Sequence, residues 1–271
     1  MYMKHIIKLV KLVEFYIKAK TYKDFDNPEI SQLIYNILEL NDSHYRITEI
    51  ENIRKELKKD SRILQINDLG AGSTFSKSKT KSVKSIANSA LSPKWQCHLL
   101  YKTINEFLPE NIIEMGTSLG ISTAYLAIGN PRATVTTIEG SEALAGIAIQ
   151  NFSKLRLKNI KQVYGNFDHT LPVILENINH VDFAFIDGNH TKEATIDYFN
   201  QIKTKSDEST VMILDDIHWS KGMEEAWEYV KSQESVKATL DFFSFGIVLF
   251  DRRYGNNEHY KVIERKFKLW K

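Results

Sequence analysis

Cysteine and net charge are both scarce in this chain of 271 residues, and each shortage excludes a class of protein. The one cysteine, Cys97, rules out an internal disulfide and a metal cluster held by several thiolates, and it fits a reducing, cytoplasmic setting. Thirty-six Lys and Arg against 34 Asp and Glu leave a formal charge of +2. Bulk charge therefore gives no reason to expect a nucleic-acid partner.

Long hydrophobic runs are also missing. The most apolar stretch, 6–17, is interrupted by Lys8, Lys11 and Glu14, so it is too short and too charged to span a bilayer. It predicts an amphipathic helix that packs on the protein or on a second subunit, with a membrane-surface helix as the alternative. We expect a soluble protein without a membrane partner and a homo-oligomer formed through the N-terminal helices.

The first 60 residues contain no glycine and one proline, Pro28, and their apolar residues recur at helical spacing. We predict a mainly helical cap or accessory region over 1–104. From Leu69 to Asn105 there is no acidic residue, and serines and lysines alternate near 73–82. That stretch is either a surface connection or a lid or anion-binding loop over an active site.

Beyond residue 105 the pattern alternates between strands and helices. The strand-like runs are Ile112–Met115, Ala133–Ile138, Ile160–Tyr164, Val181–Ile186, Val211–Leu214, Val236–Phe242 and Phe245–Phe250. Helix-compatible segments at 121–129, 141–156, 168–177, 191–203 and 220–232 lie among them. This alternation predicts an α/β core over 105–271, a Rossmann-like, doubly wound sheet of seven strands whose last strand is antiparallel.

A glycine-containing turn follows the first of these runs. The run ends at Glu114 and Met115, turns through Gly116 and Gly120, and enters a helix. Glycines let a backbone approach a ligand closely, and a helix N-terminus offers unpaired N–H groups. The spacing is G-x-x-x-G and not the G-x-G-x-x-G of dinucleotide sites. The turn is therefore either a ligand site or a plain connection between strand and helix.

Glu139 closes the second run, 25 residues after Glu114. An acid at the end of the second strand can accept both ribose hydroxyls of an adenosine. In register with the glycine turn, Glu139 predicts a nucleoside site.

These residues resemble two motifs of class I S-adenosylmethionine-dependent methyltransferases: 114–120 resembles their first motif and 137–139 their second. The resemblance covers 105–251. It implies S-adenosylmethionine as cofactor, with the methionine part on the glycine turn, the ribose on Glu139 and the adenine near 165–167. The cofactor-binding residues so implied are Glu114, Gly116, Ser118, Gly120, Ser122, Glu139, Asn166 and Phe167.

A second stretch, Asp68–Ser73, also resembles a methyltransferase glycine motif. A Ser/Lys-rich segment and not a helix follows it, and no carboxylate follows at ribose distance. We therefore interpret it as a structural turn or a loop that reaches the substrate.

Acidic residues end two further strands: Asp187 ends the fourth, and Asp215 and Asp216 end the fifth. Because ligands sit at the carboxyl ends of parallel strands, we expect the three carboxylates to converge beside the cofactor. Such oxygen ligands suit a divalent cation, Mg²⁺ first. A metal-free polar pocket and a purely structural role are the alternatives.

This arrangement is similar to that of metal-dependent O-methyltransferases, both of the catechol type and of the type that modifies macrolide sugars. The catechol type carries a lysine base where this chain has His190, and the doubled aspartate is more similar to the sugar-modifying group. The resemblance predicts methyl transfer to the hydroxyl of a small-molecule acceptor, with Asp187 and His190 as catalytic residues. The alternatives are a catalytically inactive binding or scaffold protein and a nucleotide-dependent oxidoreductase.

Overall fold

A computed structural model describes residues 2–40, 44–66 and 80–268 of the chain. Its helices are α1 (Tyr2–Lys18), α2 (Pro28–Ile34), α3 (Tyr45–Leu57), α4 (Val83–Ser89), α5 (Lys94–Phe107), α6 (Ile121–Gly129), α7 (Glu142–Lys154), α8 (Phe167–Glu176), α9 (Lys192–Lys203) and α10 (Lys221–Lys231). Its strands are β1 (Ile63–Gln65), β2 (Thr80–Ser82), β3 (Asn111–Met115), β4 (Thr134–Glu139), β5 (Ile160–Tyr164), β6 (Phe183–Ile186), β7 (Val211–Asp215), β8 (Ala238–Asp241), β9 (Phe245–Leu249) and β10 (Glu258–Lys261).

The main sheet has eight strands in the order β10-β8-β9-β7-β6-β3-β4-β5. Strand β3 pairs in parallel with β4 and β6, and β4 pairs in parallel with β5. Strand β9 is antiparallel to both β7 and β8. The predicted Rossmann-like sheet is therefore confirmed, and the strand predicted to be its antiparallel last one corresponds to β9. The alternation of helices and strands from residue 105 onward is confirmed as well.

The sheet has one more strand than the seven predicted. Strand β10 pairs in parallel with β8 at the edge of the sheet. Its sequence, Glu-His-Tyr-Lys, is polar and only partly buried, so it lacks the apolar pattern by which the other strands were found. A short antiparallel pair, β1 with β2, lies outside the main sheet.

The chain divides into two compact units. One consists of Met1–Leu40, His190–Phe199 and Asp207–Lys271, and the other of Asn41–Asn189 and Asn200–Ser206. We call them the terminal unit and the glycine-turn unit. The domain boundary predicted between residues 104 and 105 stays a prediction. The motif at 68–73 and most of the Ser/Lys-rich segment lie outside the described residues.

In the glycine-turn unit, helices from the predicted cap region share one hydrophobic core with α6, the helix after the glycine turn. Ile50 of α3 and Tyr101 of α5 belong to the same buried cluster as Ala124 of α6. A polar contact adds to it, because the hydroxyl of Tyr125 donates to Glu51 Oε1 over 2.9 Å. The helices before residue 105 therefore help to hold α6 in place.

In the terminal unit, α1 is attached along one side. Phe15 is buried and packs edge-to-face on Phe243, with ring centroids 5.4 Å apart, and Lys11 Nζ lies 2.7 Å from Glu224 Oε1. The other side of α1 exposes five large aliphatic side chains, Leu9, Val10, Leu12, Val13 and Ile17. Among the described residues, no helix has the length and apolar character needed to cross a membrane.

Candidate cofactor site

The glycine turn begins where β3 ends. The N–H groups of Gly116 and Thr117 both donate to the carbonyl of Ile138, over 3.0 and 3.2 Å. Gly116 has a φ of +107°, and a Cβ added there would lie 2.1 Å from the carbonyl oxygen of Asp187. Because backbone cannot yield at such a distance, only glycine fits position 116.

The turn ends at Gly120, the residue before α6. Its φ is +80°, and a Cβ there would lie 2.5 Å from the ring of Phe152. Between the two glycines, Ser118 has a φ of +50°, a conformation that non-glycine residues rarely adopt. Such strained residues cluster at ligand sites, where the surrounding structure holds them in place.

Glu139, the predicted ribose acid, lies beside this turn. Its Oε2 accepts the N–H of Ser118 over 2.7 Å, and its Oε1 accepts the N–H of Ser141 over 2.8 Å. The carboxylate is buried, at 8% exposure. The structure thus brings together the second-strand acid and the glycine turn, as their register in the sequence predicted.

Glu114 is fully buried below the turn. Its Oε2 accepts hydroxyl hydrogen bonds from Thr123 of α6 and, over 2.7 Å, from Thr137 of β4. Burial raises the pKa of Glu114, and the charge of Glu139 raises it further; the hydroxyl groups of Thr123, Ser122 and Thr137 lower it in part. Ser122, predicted as a cofactor ligand, is therefore close enough to Glu114 to lower the pKa of that carboxyl.

Three buried side-chain oxygens at this site have no hydrogen-bond partner among the described residues. They are Oε1 of Glu114, Oγ of Ser118 and Oγ of Ser141. Buried polar atoms in folded proteins are nearly always paired, so a group of orphans points to a polar molecule that completes the site. Two of the three residues flank Glu139, where ribose hydroxyls could donate and accept.

The predicted adenine segment starts from the same strand end. The N–H of Gly165 donates to the carbonyl of Glu139 over 3.0 Å. Asn166 caps α8 by accepting the N–H of Asp168 over 2.7 Å. The ring of Phe167 lies against Gly188, where a Cβ would approach it to 2.4 Å. Asn166 and Phe167 thus lie on a turn that borders both Glu139 and the end of β6.

The three predicted metal ligands lie at strand ends as expected. Asp187 is half-buried after β6, and its N–H donates to the carbonyl of Met115 over 3.0 Å. Asp215 ends β7, and Asp216 follows it with a φ of +54°. Across residues 2–40, 44–66 and 80–268, no group of three His, Cys, Asp or Glu side chains is arranged to hold a metal ion. The metal site stays a prediction.

The two histidines near these strand ends differ in their surroundings. His190 Nε2 lies 3.9 Å from Asp216 Oδ2. His218 contacts carboxylates at both nitrogens, Asp241 Oδ2 at 2.8 Å and Glu224 Oε1 at 3.4 Å, and its ring stacks on Phe243. His218 is thus held within the terminal unit by two carboxylates and an aromatic ring, and His190 lies near the carboxylate of Asp216.

Sequence reasoning missed Ser141, Thr123 and Thr137. The signal for Thr137 was present, because it is the cross-strand partner of Glu114 in the parallel pair of β3 and β4. Ser141 contributes a backbone N–H and Thr123 acts on Glu114 from the next helix, so no side-chain pattern marks either of them.

Comparisons with known proteins agree with this geometry. Residues 113–217 match the family model described as a methyltransferase domain. The predicted resemblance to class I methyltransferases is confirmed. A curated relative, a tRNA (guanine-N(7)-)-methyltransferase of Mycoplasma mobile, is 31% identical over 78 residues. That match covers 29% of this chain and only 39% of the relative, so its substrate is not carried over.

Solved structures show the same fold. An O-methyltransferase from Bacillus cereus in complex with SAH has a TM-score of 0.54 at 21% identity and covers 82% of this chain and 96% of its own. The O-methyltransferase TomG from Streptomyces achromogenes, in complex with SAM, has a TM-score of 0.57 at 15% identity, with coverages of 84% and 99%. The SAH-bound methyltransferase PaMTH1 of Podospora anserina has a TM-score of 0.57 at 13% identity, with coverages of 84% and 97%.

The buried state of Glu114 gives a pH prediction. Because its pKa is raised in the folded protein, the stability it contributes is present below the unfolded pKa and is lost as pH rises through the folded pKa. In Glu114→Gln the side chain is neutral at every pH. The wild type should therefore lose stability relative to this variant as pH rises, until the pH exceeds the folded pKa of Glu114. Thermal unfolding from pH 4 to pH 8 measures the difference. Glu176→Gln, at an exposed glutamate, serves as the control. If the difference in unfolding temperature between wild type and variant is independent of pH for both variants, the assignment is contradicted.

Proposed function

We propose that this chain is an S-adenosylmethionine-dependent methyltransferase that transfers the methyl group to a hydroxyl of a small molecule. The observation that carries the proposal is Glu139, held between the amides of Ser118 and Ser141 beside the glycine turn. The O-methyltransferase structures named above support the choice of a hydroxyl acceptor.

The residues present suit this cofactor. Glu139 would accept the ribose hydroxyls, and the orphaned Oε1 of Glu114 offers an acceptor below the turn, on the side proposed for the methionine part. The carboxylate of Glu139 also favours a cationic ligand. When bound, S-adenosylmethionine supplies a methyl group already activated by its sulfonium. The protein's task is then to hold the acceptor oxygen in line with that methyl group and to exclude competing water.

Replacing the ribose acid tests the cofactor assignment. Glu139→Ala removes both predicted ribose contacts and should weaken S-adenosylmethionine binding at least tenfold, about 1.4 kcal/mol, by calorimetry. Glu110→Ala, which removes an exposed carboxylate just before β3, should leave the affinity unchanged. An unchanged affinity in folded Glu139→Ala would refute the assignment.

The same titrations separate the other functions considered. An inactive scaffold that has lost the site would bind neither S-adenosylmethionine nor S-adenosylhomocysteine. An oxidoreductase would bind NAD, for which the G-x-x-x-G spacing of the turn is wrong. Binding of S-adenosylhomocysteine without binding of NAD is the result we expect.

For the acceptor we propose His190 as general base, with Asp187, Asp215 and Asp216 as ligands of a divalent cation, Mg²⁺ first. The carboxylate of Asp216, 3.9 Å from His190, would stabilise the positive charge that the imidazole gains with a proton. Within the part of the chain that the structure describes, these side chains are not grouped to hold a metal ion, so the cation stays a prediction.

Chelation and two variants distinguish these roles. If a cation binds the acceptor oxygen, a chelator should abolish turnover and leave S-adenosylmethionine affinity intact, and Asp215→Asn should raise the Mg²⁺ concentration needed for activity. His190→Ala should lower kcat about 10²–10⁴-fold at saturating Mg²⁺. Full activity after exhaustive chelation would refute the role of the cation, and His190 alone would then account for proton transfer.

We also propose that the exposed face of α1 binds a second copy of the chain. Leu9, Val13 and Ile17 are 61%, 50% and 55% exposed, lie one turn apart on one helix face, and carry no charge. Such a face can pair with itself across a two-fold axis.

Light scattering tests this contact. Val13→Glu should convert dimers to monomers, whereas Val173→Glu, at an equally exposed valine of α8, should not. A wild-type protein that is monomeric at high concentration would contradict the proposal.

A further inference from the structure

The terminal unit contains a cavity of about 660 Å³ that the proposed function does not use. It lies between the end of α1, the short helical turn after it and the segment that follows β10. Its volume falls within the range of small-molecule pockets, about 300–1,000 Å³. The cavity is therefore large enough for a ligand of its own.

Positive charge dominates its lining. The cations are Lys18, Lys20, Lys23, Arg265 and Lys268, and Asp24 is the one acid among the lining residues. The carboxylate of Asp24 accepts both the N–H and the hydroxyl of Thr21, over 2.8 and 2.9 Å. The carboxylate of Asp24 is thus already bound by Thr21. Its single negative charge offsets only part of the positive charge of the five cations.

The positive charges of nearby lysines lower the pKa of the Asp24 carboxyl. Burial alone would raise the pKa of Asp24, but the hydrogen bonds from Thr21 and the charges of Lys268 and Lys20 hold it below its usual value. The lining residues carry an excess of positive charge, and a bound anion would relieve the mutual repulsion of the cations.

Two of the five cations are left for a ligand. Lys268 Nζ donates to the carbonyl of Ala19. Lys20 Nζ lies 5.2 Å from the ring centroid of Phe25, and Lys23 Nζ lies 5.8 Å from that of Tyr22. The guanidinium of Arg265 and the ammonium of Lys18 have no carboxylate partner among the described residues. Glu39 accepts the backbone N–H of Arg265 and not its side chain. Arg265 is a partly buried residue, and the single carboxylate that lines the cavity is engaged by Thr21, so its guanidinium suits an anion with several oxygens.

We propose that this cavity binds a phosphate group, with Arg265 and Lys18 as its principal ligands. The planar guanidinium matches two phosphate oxygens at once, and the ammonium adds a point charge. The phosphate belongs either to a free molecule or to a lipid headgroup, and the experiments below distinguish these two sources. This site does not depend on the cofactor site, whose residues all lie in the glycine-turn unit.

Titration of the full chain with inorganic pyrophosphate tests the free source. Arg265→Ala should weaken binding at least tenfold. Arg265→Lys should weaken it less, because lysine keeps the positive charge but lacks the planar guanidinium that contacts two phosphate oxygens at once. Both variants keep the backbone hydrogen bond from residue 265 to Glu39, so this contact does not change. Lys161→Ala, at an exposed lysine of β5, is the charge-matched control and should bind as the wild type does.

Co-sedimentation with vesicles tests the lipid source, with phosphatidylglycerol in phosphatidylcholine compared with phosphatidylcholine alone. Binding to pyrophosphate supports the proposal, and so does binding to the anionic vesicles but not to phosphatidylcholine alone. In either case Arg265→Ala must weaken the binding at least tenfold and Lys161→Ala must leave it unchanged. Equal loss in both variants, or no binding in either assay, would overturn it. S-adenosylmethionine affinity should be the same in all variants, so this result stands apart from that of Glu139→Ala.

Discussion

The burial of one carboxylate, that of Glu114, is the constraint on which the glycine-turn unit depends. A buried carboxylate without hydrogen-bond donors would cost several kcal/mol, so its position dictates the polar groups around it. Thr137 supplies one hydroxyl from the neighbouring strand and Thr123 supplies another from the helix beyond the turn. The same group therefore links β3, β4 and α6, and it fixes both ends of the segment that we propose to hold the cofactor.

The helices that precede the α/β core also take part in this arrangement. Since α6 shares its hydrophobic core with α3, α4 and α5, the geometry of the turn before α6 depends on residues that no cofactor motif includes. Arg54 of α3 reaches the carbonyl of Ser92 just before α5 over 2.7 Å, so the helices are joined to each other by polar contacts as well. The predicted cap helices therefore support the turn that carries the cofactor motif.

The sequence predicted the regular strands and helices, and it predicted the motif whose residues lie close together in the chain. The alternation after residue 105 predicted each central strand because buried parallel strands are short apolar runs, whereas polar β10 carried no such signal. The pairing of Glu139 with the glycine turn followed from parallel register. The contact of Gly116 with the carbonyl of Asp187 could not be found this way, because it joins two backbones 71 residues apart and leaves no side-chain pattern beyond the glycine itself.

A comparison of two strand-end acids shows why an acid in the right place is not sufficient to mark a site. Glu139 and Asp241 are both buried, and each accepts the N–H of the residue two positions later, over 2.8 and 2.7 Å. The second oxygen of Asp241 is bound by His218, whose ring is in turn stacked on Phe243, so that carboxylate is enclosed by its own unit. Beside Glu139, by contrast, the hydroxyls of two serines have no partner among the described residues. The unsatisfied neighbours, more than the acid itself, distinguish a ligand site from a structural turn.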